Sequence, residues 1–142
     1  MRRLGLPLLL AAAAAGMVAP SGAAAGGPLK FTRIADQVGW PQTYGDVTTA
    51  RFQLSTKAGV VGSARATVRE IDFYRTKTTF KSRFEEGLIT ARGEITTRPD
   101  GRETVPIVGG RRAFRRARGV FIYHYDAKHE TTEWTYKLES YG

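Results

Sequence analysis

The chain has 142 residues, with 22 Lys and Arg against 13 Asp and Glu, a formal net charge of +9 and no cysteine. That length holds one domain. The missing cysteines exclude a disulfide-stapled scaffold and lipid attachment through a thiol, so an apolar core must hold the fold. The basic balance bears on association and solubility before it bears on function.

The opening segment, "MRRLGLPLLLAAAAAGMVAPSGAAAGG", sets Arg2 and Arg3 ahead of an apolar run from Leu4 to Ala19, with small residues at Ala23, Ala24 and Ala25. This is the pattern of a Sec-type secretory signal peptide, here over residues 1–25, and it implies a secreted protein. Pro7, Gly16 and Pro20 interrupt the run short of the about 20 apolar residues of a spanning helix, so no stable membrane anchor is expected. Residues 26–142 then form a single domain.

After Gly27 the apolar residues recur at spacing two. Phe52 and Leu54 share one face, as do Phe80 and Phe84 with Thr78 and Ser82, while Thr79, Lys81, Arg83 and Glu85 face the other way. Such alternation marks half-buried antiparallel strands. Strands are predicted at Leu29 to Ala35, Val47 to Thr56, Val60 to Phe73, Thr76 to Glu85, Leu88 to Thr97, Glu103 to Val108, Gly119 to Tyr125 and Thr131 to Glu139. The connections "KAG" at Lys57, "EEG" at Glu85, "RPDG" at Arg98 and "DAKHE" at Asp126 carry turn chemistry. Short loops make consecutive strands antiparallel neighbours, in a sandwich or a barrel. Trp134, Tyr136 and Leu138 on one face of the last strand would make a hazardous open edge, which favours closure into an all-β, eight-stranded antiparallel β-barrel.

Between Val105 and Tyr125 the stretch "VPIVGGRRAFRRARGVFIYHY" packs Arg111, Arg112, Arg115, Arg116 and Arg118 into eight positions, the one basic block that the linear sequence displays. A phosphate-binding arm and a solvated turn both fit that charge, with Arg118 pairing a carboxylate in the second case. The glycines and Phe114 fit the turn, and an exported protein seldom meets nucleic acid, so no nucleic-acid partner is expected. His124 alternates with Val120 and Ile122, whereas His129 falls in a polar turn. Two histidines fall short of a metal-ligand set, and neither metal nor cofactor is expected. Glu85 and Glu86 read as a solvated turn. Around Arg69, Glu70 and Asp72 the alternation must put either the arginine or the acids on the inner side, where a charge needs a partner. The set Trp40, Tyr44, Phe121, Tyr123, Tyr125, Trp134 and Tyr136 can line a ligand cavity or form ordinary core and an oligomer surface. There is no nucleophile-elbow pattern.

Gly45-Asp46, Val61-Gly62, "FEEGLITARGEI" from Phe84 to Ile95, and "VPIVGGRRAFRRARGVF" from Val105 follow one another in an order that resembles the allene oxide cyclase barrel superfamily, which includes the plant dirigent proteins. The resemblance spans roughly Asp46 to Glu139. Its most specific part is Val108, Gly109, Gly110, Phe114, Ala117, Arg118 and Gly119, a structural motif in which Arg111 and Arg112 replace the family's usual threonine and glycine.

For a secreted bacterial member, the resemblance implies a barrel with an apolar lumen open at one end. It also implies a hydrophobic or phenolic small molecule as ligand, and a homo-oligomer, dimer or trimer, built through the outer wall. If the protein is an enzyme, the activity implied is isomerase- or cyclase-like, directing cyclisation or stereoselective coupling. The cyclase positions do not carry over. Asp36 is the one acid near the first-strand site, and the cyclase cysteine falls near Val68. The dirigent aspartate falls at Ile95, beside Glu94, and the dirigent arginine at Arg102. No catalytic residue is assigned, and the lumen candidates are Arg69, Arg102, Glu94, Tyr123, Tyr125 and Trp134. The competing expectation is a non-enzymatic extracellular barrel whose basic rim holds anionic polymers.

Overall fold

The computed structural model describes residues 28–73, 75–96, 101–126, 128 and 131–142. The expected signal peptide and His129 lie outside them. Eight strands, each antiparallel to its neighbours, close into one barrel. They are β1 (Leu29–Tyr44), β2 (Val47–Thr56), β3 (Gly59–Glu70) and β4 (Arg75–Phe84). β5 (Gly87–Thr96), β6 (Arg102–Arg112), β7 (Arg118–Asp126) and β8 (Thr131–Ser140) follow. Each pairs with the next, and β8 returns to pair with β1 through Trp134 opposite Arg33 and Tyr136 opposite Phe31. The aromatic residues of β8, Trp134 and Tyr136, are paired on both sides, which removes the hazard of an open edge there.

Period-two alternation sorts the side chains. On β4, Thr78, Phe80, Ser82 and Phe84 are buried, while Lys77, Lys81 and Arg83 are exposed. The inner face holds a cluster of rings. Phe80 lies 4.6 Å from Phe121, Phe52 4.9 Å from Trp134, and Phe121 5.1 Å from Trp134. Nearer the start of β1, Phe31 stacks on Tyr136 at 4.8 Å. Burying each large side chain contributes about 2 to 3 kcal/mol before entropy is counted.

One end of the barrel, the base, carries the β2–β3, β4–β5 and β6–β7 turns. The β6–β7 turn folds inward there, with Phe114 and Ala117 buried, and Phe114 meets Phe84 at 6.4 Å and Tyr141 at 6.0 Å. The motif glycines permit this approach. A Cβ on Gly110 would strike the carbonyl oxygens of Leu88 and Phe114, and one on Gly119 would strike that of Lys137. Arg112 stands where the resemblance expects glycine, and it adopts φ 56°, the left-handed region that glycine enters freely. Arg118 donates to the Ala117 carbonyl at 2.7 Å, a local bond in place of the expected carboxylate partner.

The strand limits differ from expectation by more than one residue in three places. β1 runs on to Tyr44, past a register shift between Val38 and Gln42. Gly39 and Pro41 break the apolar period there, so the pairing is invisible in the pattern. β3 stops at Glu70 because Asp72 accepts from the Arg75 backbone and its Nε, at 3.0 and 2.9 Å, and so closes a turn. β6 extends through Arg111 and Arg112, which are therefore strand residues before the turn.

Candidate functional site: the open mouth

The opposite end, the mouth, has the β1–β2 and β3–β4 turns. There small inward side chains are interleaved with aromatic ones, Phe80 lying between Ala66 and Ala91 in register. Ala35, Ala66 and Ala91 are buried, and Ala50, Val68, Thr76 and Ile95 above them are half-buried. They face Tyr123 across a floor formed by Phe52, Phe80 and Trp134, with Phe80 6.4 Å from Tyr123. Small residues beside large rings make this end the candidate position for a ligand cup.

One inner row crosses four strands. Glu103 of β6 lies opposite Tyr123 of β7, Tyr123 opposite Trp134 of β8, and Trp134 opposite Arg33 of β1. Directly opposite residues on one face have Cβ atoms about 5 Å apart. The row therefore sets Glu103, Tyr123, Trp134 and Arg33 side by side on the inner wall of the barrel. Burial, reinforced by the neighbouring Tyr125, holds the Tyr123 hydroxyl above its ordinary value, so it is a neutral donor at neutral pH. Trp134 Nε1 and Arg33 Nε are both buried without an acceptor among the described residues. Each such donor costs about 1 to 3 kcal/mol. Arg33 turns toward the base, 4.7 Å from the Phe31 ring centre and 5.9 Å from that of Phe84. Its removal from water lowers its pKa, and the Tyr136 and Glu86 charges oppose the shift.

The six lumen candidates divide evenly. Tyr123 and Trp134 face inward, and Tyr125 shares their register but is 42% exposed at the rim. Arg69, Arg102 and Glu94 are on the outer wall, and the expectation that they line the lumen is corrected by their register. Arg69 is one step from inward Val68, Arg102 one step from inward Glu103, and Glu94 lies between Gly93 and Ile95 and pairs with Arg75 at 3.2 Å. Trp40 and Tyr44, 91% and 79% exposed, lie on the long hairpin of β1 and line no cavity. His124 is on the outer wall, between Arg102 and Glu133 in register. Glu103 and Arg33 were missed as site residues, although Glu103 alternates with Val105 and Ile107 in the sequence. A groove of about 450 Å³ bounded by Pro28, Lys30, Val120, Lys137 and Glu139 lies outside the barrel near its base.

No protein-family model and no curated protein matches the sequence. Among solved structures, a pyocyanin demethylase superposes with a TM-score of 0.65 at 18% identity, covering 78% of this chain and 99% of the other. The pterocarpan synthase dirigent protein GePTS1 gives 0.60 at 16% identity, covering 87% and 94% of the two chains. A second pterocarpan synthase dirigent protein, PsPTS1, gives 0.57 at 16%, covering 82% and 96%. With the closed antiparallel topology already established, these likenesses give the chain the eight-stranded, dirigent-like barrel fold.

Proposed function

We propose that this barrel, after export, binds a hydrophobic or phenolic small molecule in the mouth cup and holds it for cyclisation or stereoselective coupling. The observation that carries the reading is the inner row in which Glu103 faces Tyr123 above an aromatic floor. The small side chains beside them leave space for a planar ring, and the rings below supply apolar contact. Glu103 and Tyr123 supply an acceptor and a donor for a phenolic oxygen. Orientation in a dry, shaped site is the contribution such a protein makes when the reactivity belongs to the ligand. The neighbours named for pyocyanin and pterocarpan, both fused-ring compounds, support that ligand class.

Calorimetric titration with 2-naphthol and naphthalene tests the reading. Both are expected to bind with a negative heat-capacity change, and Ala50→Phe is expected to weaken both by filling the cup. Glu103→Gln and Tyr123→Phe are expected to weaken 2-naphthol at least about fivefold, roughly 1 kcal/mol, and naphthalene little. Failure of the parent protein to bind either compound, or equal binding by Ala50→Phe with an unchanged thermal melt, refutes the cup as the site.

A further inference from the structure

Closure of the barrel also arranges the outward side chains of β2 to β5, and there the register stacks like charges. Arg51 of β2 lies directly opposite Arg65 of β3, and Arg65 directly opposite Lys81 of β4. Four residues along the same strands, Arg69 lies opposite Lys77. All five are exposed, and Arg83 and Arg92 extend the patch on β4 and β5. On the described outward positions of these strands the one carboxylate is Glu94, already held by Arg75 at 3.2 Å. Like charges directly opposite across a strand pair destabilise a sheet. The wall therefore keeps an arrangement that folding alone disfavours, and a polyanion laid across it would relieve the repulsion.

Between the two cationic rows runs a row of hydroxyls, with Thr49 opposite Thr67 and Thr67 opposite Thr79. Arg92 Nε donates to Thr79 Oγ1 at 3.3 Å. Cations one strand spacing apart, about 4.8 Å, sit beside hydroxyls one pleat away. That pattern matches a polymer whose carboxylates recur along a backbone of sugar hydroxyls. No aromatic side chain stands between the cationic rows, and Tyr44 of β1, exposed opposite Val47, flanks one end of them as a single ring, short of the successive stacking platforms of a single-stranded nucleic-acid groove. Of the apolar residues on these strands that face out, Val47 and Leu88 are half-buried, and Val60 and Val61 are exposed beside the β2–β3 turn, beyond the cationic rows, which is too small an apolar patch to enter a lipid surface.

We infer that the outer wall of β2 to β5 is a docking surface for an acidic polysaccharide. The surface is separate from the mouth cup and from the arginines of the β6–β7 turn. It would hold the barrel against an anionic matrix while the cup stays open, since the outward and inward faces of the same strands do the two tasks.

The test compares the parent protein with a wall variant, Arg65→Ser with Arg69→Ser and Lys81→Ser, and a turn variant, Arg115→Ser with Arg116→Ser. Binding to sodium polygalacturonate is followed by fluorescence anisotropy as salt is raised. The parent and the turn variant are expected to bind alike, with the wall variant at least tenfold weaker and shallower in its salt dependence. Polygalacturonate is expected to raise the melting temperature of the parent but not of the wall variant, whose own melting temperature should equal or exceed the parent's. The proposal is overturned if the wall variant binds as tightly as the parent, or if only the turn variant loses binding. Tighter binding to a DNA oligonucleotide or to anionic phospholipid vesicles than to polygalacturonate also overturns it, as does a wall variant that melts well below the parent.

Discussion

Tyr136 is 1% exposed, and its hydroxyl donates to Ser82 Oγ, itself 1% exposed, at 2.7 Å across the barrel interior. Tyr136→Phe removes the donor and leaves a buried serine oxygen without the bond, while Ser82→Ala leaves a buried phenol. Each single change is expected to cost about 1 to 3 kcal/mol, the penalty of an unsatisfied buried group. The double variant removes both groups together, so it should lose far less than the sum, with a coupling of about 1 to 2 kcal/mol. Urea unfolding followed by circular dichroism, at unchanged slope, measures the three differences. In thermal melts each single variant should fall by roughly 4 to 12 °C for a domain of this size. The same hydroxyl sets an alkaline limit. Burial pushes the Tyr136 pKa well above the ordinary value of 10.0, with the Ser82 hydrogen bond and Arg33 opposing it. Below pH 10 the neutral phenol is present in both states. Above it the unfolded chain loses the proton that the folded chain keeps, so stability falls at up to about 1.4 kcal/mol per pH unit for this one group. Tyr136→Phe should flatten that alkaline decline. Strict additivity of the two single changes would refute the claim that the hydroxyls serve one another, and an unaltered alkaline slope in Tyr136→Phe would refute the pH argument.

Two further changes test how the base of the barrel is built. Arg112→Gly should raise stability by roughly 0.5 to 1 kcal/mol, since the left-handed backbone at φ 56° costs an arginine about 1 to 2 kcal/mol and glycine's greater unfolded-state freedom returns part of that; a lower urea midpoint would show that the arginine side chain holds the turn. Arg33→Met should leave stability unchanged or raise it by about 1 to 2 kcal/mol, because the guanidinium faces Phe31 and Phe84 with its Nε unbonded; a loss above about 2 kcal/mol would mean that the aromatic contacts outweigh desolvation.

The barrel was legible because burial in a one-sheet protein is written at period two. Phe80, Ser82 and Phe84 against Lys81 and Arg83 define both faces of β4 without any tertiary knowledge. The same rule fails where the chain leaves the core. The second half of β1 pairs with β2 through Gln42, Thr43 and Tyr44, none of which is buried, so hydrogen bonding maintains the strand with no apolar signature. The glycine motif was legible for a different reason: Gly110 and Gly119 stand where another strand's carbonyl leaves no space for a side chain, a requirement that composition cannot disguise. Arg112 shows the complementary case, where sequence departs from the motif and the backbone keeps the motif's conformation at a cost.

The site residues were harder to read because matching by offset is blind to strand parity. Arg102 lies at the position that the family resemblance favours and Glu94 one residue from it, and on a strand a step of one residue moves a side chain through the wall. Glu103, one step beyond Arg102, is the carboxylate that alternation with Val105 and Ile107 places inside. Charge is hidden from a linear reading for a related reason. A window along the chain sees Arg111 to Arg118 as dense and Arg65, Arg69, Lys77 and Lys81 as sparse, because hydroxyl and apolar residues separate the latter. Pairing reverses the comparison, since strands about 4.8 Å apart bring Arg65 closer to both Arg51 and Lys81 than residues two apart on a single strand. In a closed sheet, charge density belongs to the register rather than to the run. A barrel can therefore carry a basic wall and an apolar cup on the same strands without either being apparent as a block in the sequence.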